Sequence, residues 1–147
     1  MISVQKESFL FEKILHDLKS ASDDIGAVVS FIGFVRDFET RLDCKGDHLE
    51  IEYYEGMTQK SLQNIEQISR KKWNLIDLRI YHRFGIIKLN EPIVYIVVAS
   101  KHRDDAFDAC RFVIDYLKTE APFWKKEVSK KQSYWVEQKE SDLVKVK

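Results

Sequence analysis

The chain has 147 residues, 44% of them hydrophobic and 33% charged, a length and composition expected of one globular domain spanning 1–147. Its 24 Lys and Arg residues balance 24 Asp and Glu, which removes the whole-domain positive charge that marks a nucleic-acid binder. The longest uninterrupted apolar run, Pro92 to Ala99, is far too short to span a bilayer.

Ser8 is placed to cap a first helix running to about Lys19, with Phe11, Ile14, Leu15 and Leu18 on one apolar stripe. Gly26 opens GAVVSFIGFVR, a strand rich in Val, Ile and Phe that ends on Arg36. The polar stretch from Asp37 to His48 has almost nothing to bury and reads as a loop. LEIEYYE then alternates Leu49, Ile51 and Tyr53 against Glu50, Glu52 and Tyr54, the period of a strand with one wet face. From Thr58 to about Lys72, Leu62, Ile65 and Ile68 recur at helical spacing on a polar background. Leu75 to Phe84 alternates again through Ile76, Leu78 and Ile80, and Gly85 breaks it.

PIVYIVVAS is a near-continuous apolar run, the pattern of a central strand covered on both faces. A third helix is predicted from about Lys101 to Glu120, burying Ala106, Cys110, Val113 and Leu117, with Asp104 and Asp105 in its first turn. Pro122 stops it, and a short strand, SYWVEQ, precedes a charged tail. The order predicts an α+β fold with helices packed on a mainly antiparallel sheet.

MISVQKESFLFEK carries no long apolar core and no small-residue cleavage site, so a cytoplasmic protein is expected. Cys44 and Cys110 make no secreted disulfide framework and read as free thiols. His16, His48, His82 and His102 have no short mutual spacing and no cysteine pair beside them, so no metal site is expected.

Cationic handling of anions is the chemistry the residues suggest. His102 and Arg103 stand where the third helix begins, among unpaired backbone N–H groups and the positive end of the peptide dipoles. Cations there are unfavourable by about 0.3–1 kcal/mol, which a bound phosphate or carboxylate would offset. Lys118 lies in the last helical turn and Lys125 seven residues on, beyond Pro122. They share a side only if a turn folds the second segment back. Arg36, ending its strand before a polar stretch, is a further candidate.

GAVVSFIGFVRD, LEIEYYEGM, HRFG, NEPIVYIVVASKHRDDAF, ACRFVIDYLKTEAPFWKKE and YWVEQKESD together resemble the large, catalytic subunit of molybdopterin synthase. The similarity runs from about Gly26 to Asp142. It implies an α/β hammerhead-type fold and a homodimer of large subunits, with a small ubiquitin-like sulfur-carrier subunit at each end to make a heterotetramer. The implied reaction moves sulfur from the carrier's C-terminal thiocarboxylate to cyclic pyranopterin monophosphate, building the molybdopterin dithiolene for molybdenum cofactor biosynthesis, with no cofactor of its own.

By resemblance, Arg36, His102 and Arg103 hold the substrate phosphate, and Lys118 and Lys125 face the thiocarboxylate. Either lysine is then a candidate to move protons, with Lys118 preferred as the general acid or base and Lys125 as the group that stabilises developing negative charge. Lys139, in VEQKESD, matches a position where relatives carry an arginine reaching the neighbouring subunit's pocket; lysine keeps the charge but not the bidentate grip. The competing reading is a non-catalytic module that binds a ubiquitin-like partner, and the convergent cations argue against it. RNA binding is opposed by zero net charge and the lack of a glycine-rich phosphate loop.

Overall fold

The computed structural model describes residues 1–37, 46–129 and 133–136. Strand β1 (Ile2–Gln5) leads into helix α1 (Phe11–Lys19), β2 (Ala27–Phe34), β3 (Gly46–Tyr53) and helix α2 (Met57–Lys72). Then come β4 (Leu75–Arg83), β5 (Gly85–Lys88), β6 (Pro92–Ser100), helix α3 (Arg103–Glu120), β7 (Phe123–Ser129) and β8 (Ser133–Trp135). The strands form two four-stranded sheets, ordered β1-β4-β6-β2 and β5-β3-β7-β8. The architecture is α+β, as the sequence predicts. All pairings are antiparallel except β1 with β4, which run parallel.

β6 owes its apolar run to its place in the first sheet, between β4 and β2 with helices over both faces. On one face, Val94, Ile96 and Val98 pack with Leu62 and Ile65 of α2 and with Ala106, Cys110, Val113 and Leu117 of α3. On the other, Tyr95, Val97 and Ala99 meet Ile14 and Leu18 of α1 and the ring of Phe9. Complete burial of a Leu or Ile stabilises by about 1.5–3 kcal/mol, and Leu62, Ile65, Leu78 and Ile80 are all fully buried in the first of these layers. A smaller core of Val35, Leu49, Ile51, Ile87 and Ile93 joins the second sheet to the far end of the first.

Four local readings need correction. Ser8 does not cap α1: the helix begins at Phe11 after Leu10, because Phe9 first turns inward against Tyr81 and Tyr95. Ile76 does not share a face with Leu78 and Ile80. A register shift between Leu75 and Asp77 turns it to the α1 side, as a bulge in one strand does. The polar stretch assigned to a loop as far as His48 ends earlier, since β3 is already paired with β7 at Gly46; residues 38–45 lie outside the description. Finally, β1 and β7 were not predicted. β1 is short, and β7 is too polar to show a strand's alternation.

Gly85 adopts φ +86°, the left-handed region that favours glycine, where the chain passes from the first sheet into the second. Among the described residues no helix is long and apolar enough to cross a membrane, which says nothing about strands.

Candidate active site

The predicted site residues fall at two ends of the first sheet. At one end, β6 stops at Ser100, whose hydroxyl donates to the carbonyl of His102 and so braces the short entry to α3. The Gly26 N–H donates to the Ser100 carbonyl at 3.1 Å. A Cβ on Gly26 would collide with the backbone carbonyl of Lys101, so only glycine lets β2 start this close. That approach creates an open hollow of about 500 Å³ lined by Gly26, Ala27, Lys101, His102, Arg103 and Asp104.

His102 is the N-cap of α3, in extended conformation and without a side-chain capping bond, and Arg103 is the first helical residue. Both are exposed, as is Lys101, which sequence reasoning passed over although it adjoins the pair. Three basic side chains thus share a hollow with the N-terminal turn of an 18-residue helix, and among the described residues Asp104 is the one acid on its wall.

At the other end, α3 has run back along the sheet and delivers Lys118 in its last turn. The helix stops at Glu120, before Pro122, and the chain reverses directly into β7, which pairs antiparallel with β3 and places Lys125 opposite Ile51. The fold-back on which the meeting of the two lysines depends is therefore present as a strand. Lys118 is exposed and Lys125 half-buried. Arg36 follows β2 at this same end, just after Val35, whose N–H donates to the Glu91 carbonyl at 2.9 Å.

His82, which the sequence flagged only as a histidine without metal partners, sits under this end. It is completely buried, its ring lies 3.6 Å from that of Phe123 at an interplanar angle of 13°, and its Nδ1 pairs with the Arg83 carbonyl at 2.7 Å. Burial, and secondarily the charge of nearby Lys125, push its pKa down to about 3, so the ring is neutral. In that state Nδ1 carries the hydrogen and donates it to the carbonyl.

One chain does not bring all the candidates together. Arg103 and Lys118 are separated by about 22 Å of helix at 1.5 Å per residue. The hollow and Arg36 are separated by the length of β2, about 23 Å at 3.3 Å per residue. Lys139 lies outside the described residues.

Among the described residues, Arg70, Arg79, Arg83 and Arg111 each bridge to a carboxylate, whereas Arg36 and Arg103 do not. No three His, Cys, Asp or Glu side chains among the described residues gather closely enough to hold a metal ion.

A family profile described as MoaE protein matches residues 4–120. A molybdopterin synthase catalytic subunit from Pseudomonas aeruginosa is 47% identical over 141 residues, covering 96% of this chain and 93% of its own. Among solved structures, a molybdopterin synthase from Staphylococcus aureus aligns with a TM-score of 0.83 at 32% identity, covering 92% of this chain and 96% of its own. A complex of subunits 1 and 2 of the molybdopterin-converting factor from Helicobacter pylori shares the fold at a TM-score of 0.77 and 16% identity, covering 94% and 91%. With a profile match over most of its length and close similarity to a relative of the same size, the chain belongs to the MoaE family.

Proposed function

We propose that this chain is the catalytic, sulfur-transferring subunit of a molybdopterin synthase, taking sulfur from the C-terminal thiocarboxylate of a small ubiquitin-like carrier and passing it to cyclic pyranopterin monophosphate. The observation that carries the reading at this site is the pair Arg36 and Arg103, the two described arginines with no carboxylate partner among the described residues. Arginines with no carboxylate beside them among the described residues suit an external oxyanion, and the guanidinium fork matches phosphate oxygens bidentately. Both reactants are anionic and repel each other unless cations are arranged around them in advance.

Two separated sets of cations explain why a homodimer belongs to the proposal. In one subunit, Lys101, His102 and Arg103 are remote from Arg36, Lys118 and Lys125; a second copy set beside the first brings the phosphate-holding set of one against the lysines of the other. The carrier tail then enters at the Lys118 and Lys125 end, where its docking supplies the desolvation that the exposed Lys118 lacks in the single chain. As sulfur bonds to a pterin carbon, a C–O bond at that carbon breaks and its oxygen leaves with a proton. Water then attacks the carrier's terminal carbonyl carbon, its C–S bond breaks, the sulfur stays on the pterin and the carrier departs as carboxylate. Lys118 moves the proton, and Lys125 stabilises the negative charge that builds at the carbonyl oxygen. Lys139 is proposed to add charge to the pocket of the neighbouring subunit.

The test combines the purified chain, a thiocarboxylated small subunit and cyclic pyranopterin monophosphate, and measures the dithiolene pterin formed. The wild type should yield product and Lys118→Ala none, while the variant still dimerises and binds the carrier. A wild-type chain that binds the carrier and yields nothing would leave only a docking module.

A further inference from the structure

The six residues between Lys118 and Lys125 hold the two lysines at a set separation, and two buried polar side chains from distant parts of the chain fasten that link. Thr58, fully buried at the start of α2, donates its hydroxyl to the Pro122 carbonyl at 2.9 Å and accepts the Tyr54 N–H at 3.1 Å. His82, at the end of β4, lies flat on Phe123, the next residue after Pro122. Ala121, just before, is buried in the main core. Three consecutive residues of the link are therefore fixed, each by a different part of the fold.

Burying a polar group is unfavourable unless it is hydrogen-bonded, so a threonine and a histidine at such depth need a reason. An apolar pair would fill the same space. What the polar pair adds is direction: the Thr58 hydroxyl fixes the orientation of one peptide carbonyl, and the His82 ring, itself oriented by its bond to the Arg83 carbonyl, fixes the plane of Phe123. Phe123 and Lys125 lie on the same side of β7, two residues apart, so the plane and height of the first set the starting point of the second. Lys125 is near enough to His82 for its charge to act on the imidazole.

We propose that His82 and Thr58 are positioning residues for the sulfur-transfer site, clamping the Ala121–Phe123 link so that Lys125 is held at a fixed place relative to Lys118. The proposal rests on the assignment of these lysines to sulfur transfer. Neither clamp residue is required to touch substrate or exchange a proton with it. Displacements of about 1 Å at a reacting centre cost on the order of a hundredfold in rate, which is the scale on which such a clamp acts.

The experiment uses the complete complex with thiocarboxylated carrier and reads single-turnover product formation against pterin concentration, normalised to folded protein. Thr58→Val keeps the shape and removes the hydroxyl; Thr58→Ser restores it. His82→Leu fills the space without a ring; His82→Phe restores the ring. Val and Leu should lower the maximal rate about tenfold or more with half-saturation by pterin changed less than about twofold; Ser should recover most of it, and Phe, which keeps a ring against Phe123 but loses the bond to the Arg83 carbonyl, should recover part.

In parallel, the side-chain Cε resonance of Lys125 is followed by NMR through a pH titration in the free chain, and it should move in Thr58→Val and His82→Leu. Wild-type rates with an unmoved Lys125 resonance would overturn the clamp, as would a loss in Thr58→Ser equal to that in Thr58→Val or a loss in His82→Phe equal to that in His82→Leu. A fully active Lys125→Ala would instead sink the catalytic assignment, and the NMR comparison would still decide whether the clamp exists. If His82→Leu fails to fold, the Thr58 pair decides alone.

Discussion

Arg36 and Arg103 stand at opposite ends of β2's length, and they are the described arginines that bridge to no carboxylate among the described residues. If each gives half of a phosphate grip, the halves belong to different subunits of a dimer, and complementation follows. Arg36→Ala and Arg103→Ala homodimers should each show a large rise in the pterin concentration needed for half-maximal rate. After the two are unfolded and refolded together, mixed dimers carry one intact site and one doubly altered site. Activity should recover to roughly a quarter of wild type, since about half the dimers are mixed and each has one working site. No recovery in a mixture shown to contain mixed dimers would place both arginines in a single-subunit site.

Gly26 makes a second prediction, about how the hollow beside Arg103 is built. A methyl group at this position meets the Lys101 carbonyl, which is backbone and cannot swing aside. Gly26→Ala should therefore destabilise by about 1–3 kcal/mol, the range for forcing atoms into a packed site. It should also push β2 away from Lys101 to Arg103 and weaken pterin binding more than it slows the saturated rate. Calorimetry and the saturation curve check the two halves. An unchanged melting temperature would show that β2 and Lys101 separate by the width of a methyl group without loss of packing.

How far these features were legible depends on whether a residue's neighbours lie close in sequence. β6 and α3 were readable because Ile93 to Ala99 and the Ala106, Cys110, Val113, Leu117 series carry their burial in their own spacing. β7 was not, because FWKKEVS places Phe, Lys and Glu on one side and Trp, Lys and Val on the other, so no apolar period distinguishes its faces. The basic pair at 102–103 stood out at its helix start and Lys118 and Lys125 on either side of Pro122, while the roles of the two lysines followed from the family resemblance. The distance between those two groups did not, since it depends on the antiparallel return of α3 along the sheet. His82 was hidden for the same reason: its partners, Phe123 and Lys125, are brought to it by a chain reversal some forty residues later.

Cys110 offers a test of whether the α3 core is as closed as it looks. The thiol is packed among the residues between α3 and the first sheet, and burial pushes its pKa up to about 11, so almost no thiolate exists at neutral pH. In a Cys44→Ser background, iodoacetamide should modify the native chain only as fast as it opens, and fully in denaturant. Cys110→Ala should lower stability by about 1 kcal/mol or somewhat more through lost packing and leave sulfur transfer intact. A folded Cys110→Ala chain that makes no product would give the thiol a chemical role that its surroundings argue against.

His82 and His48 predict opposite pH dependences of stability. The buried His82 has its pKa depressed from 6.5 to about 3, first by burial and then by Lys125. Above pH 6.5 the ring is neutral whether the chain is folded or not, and its contribution is constant. Below 6.5 the unfolded chain takes up a proton that the folded chain refuses until about pH 3, so stability falls with pH across that window, with a slope approaching about 1.4 kcal/mol per unit.

For His48, burial opposes protonation, but hydrogen bonds to Asp47 at 2.7 Å and Glu50 at 3.3 Å outweigh it and raise the pKa. Its stabilisation is fully present below 6.5 and is lost as pH rises through the raised value. Denaturant titrations of wild type and His82→Phe between pH 4.5 and 6.5 separate the two, because His48 is common to both chains. Wild type should lose stability more steeply on acidification, and the variant should be flatter even if it is less stable at pH 7. Parallel slopes would mean that His82 accepts a proton while the chain is still folded, which requires the Phe123 stack to open and carry the start of β7 with it.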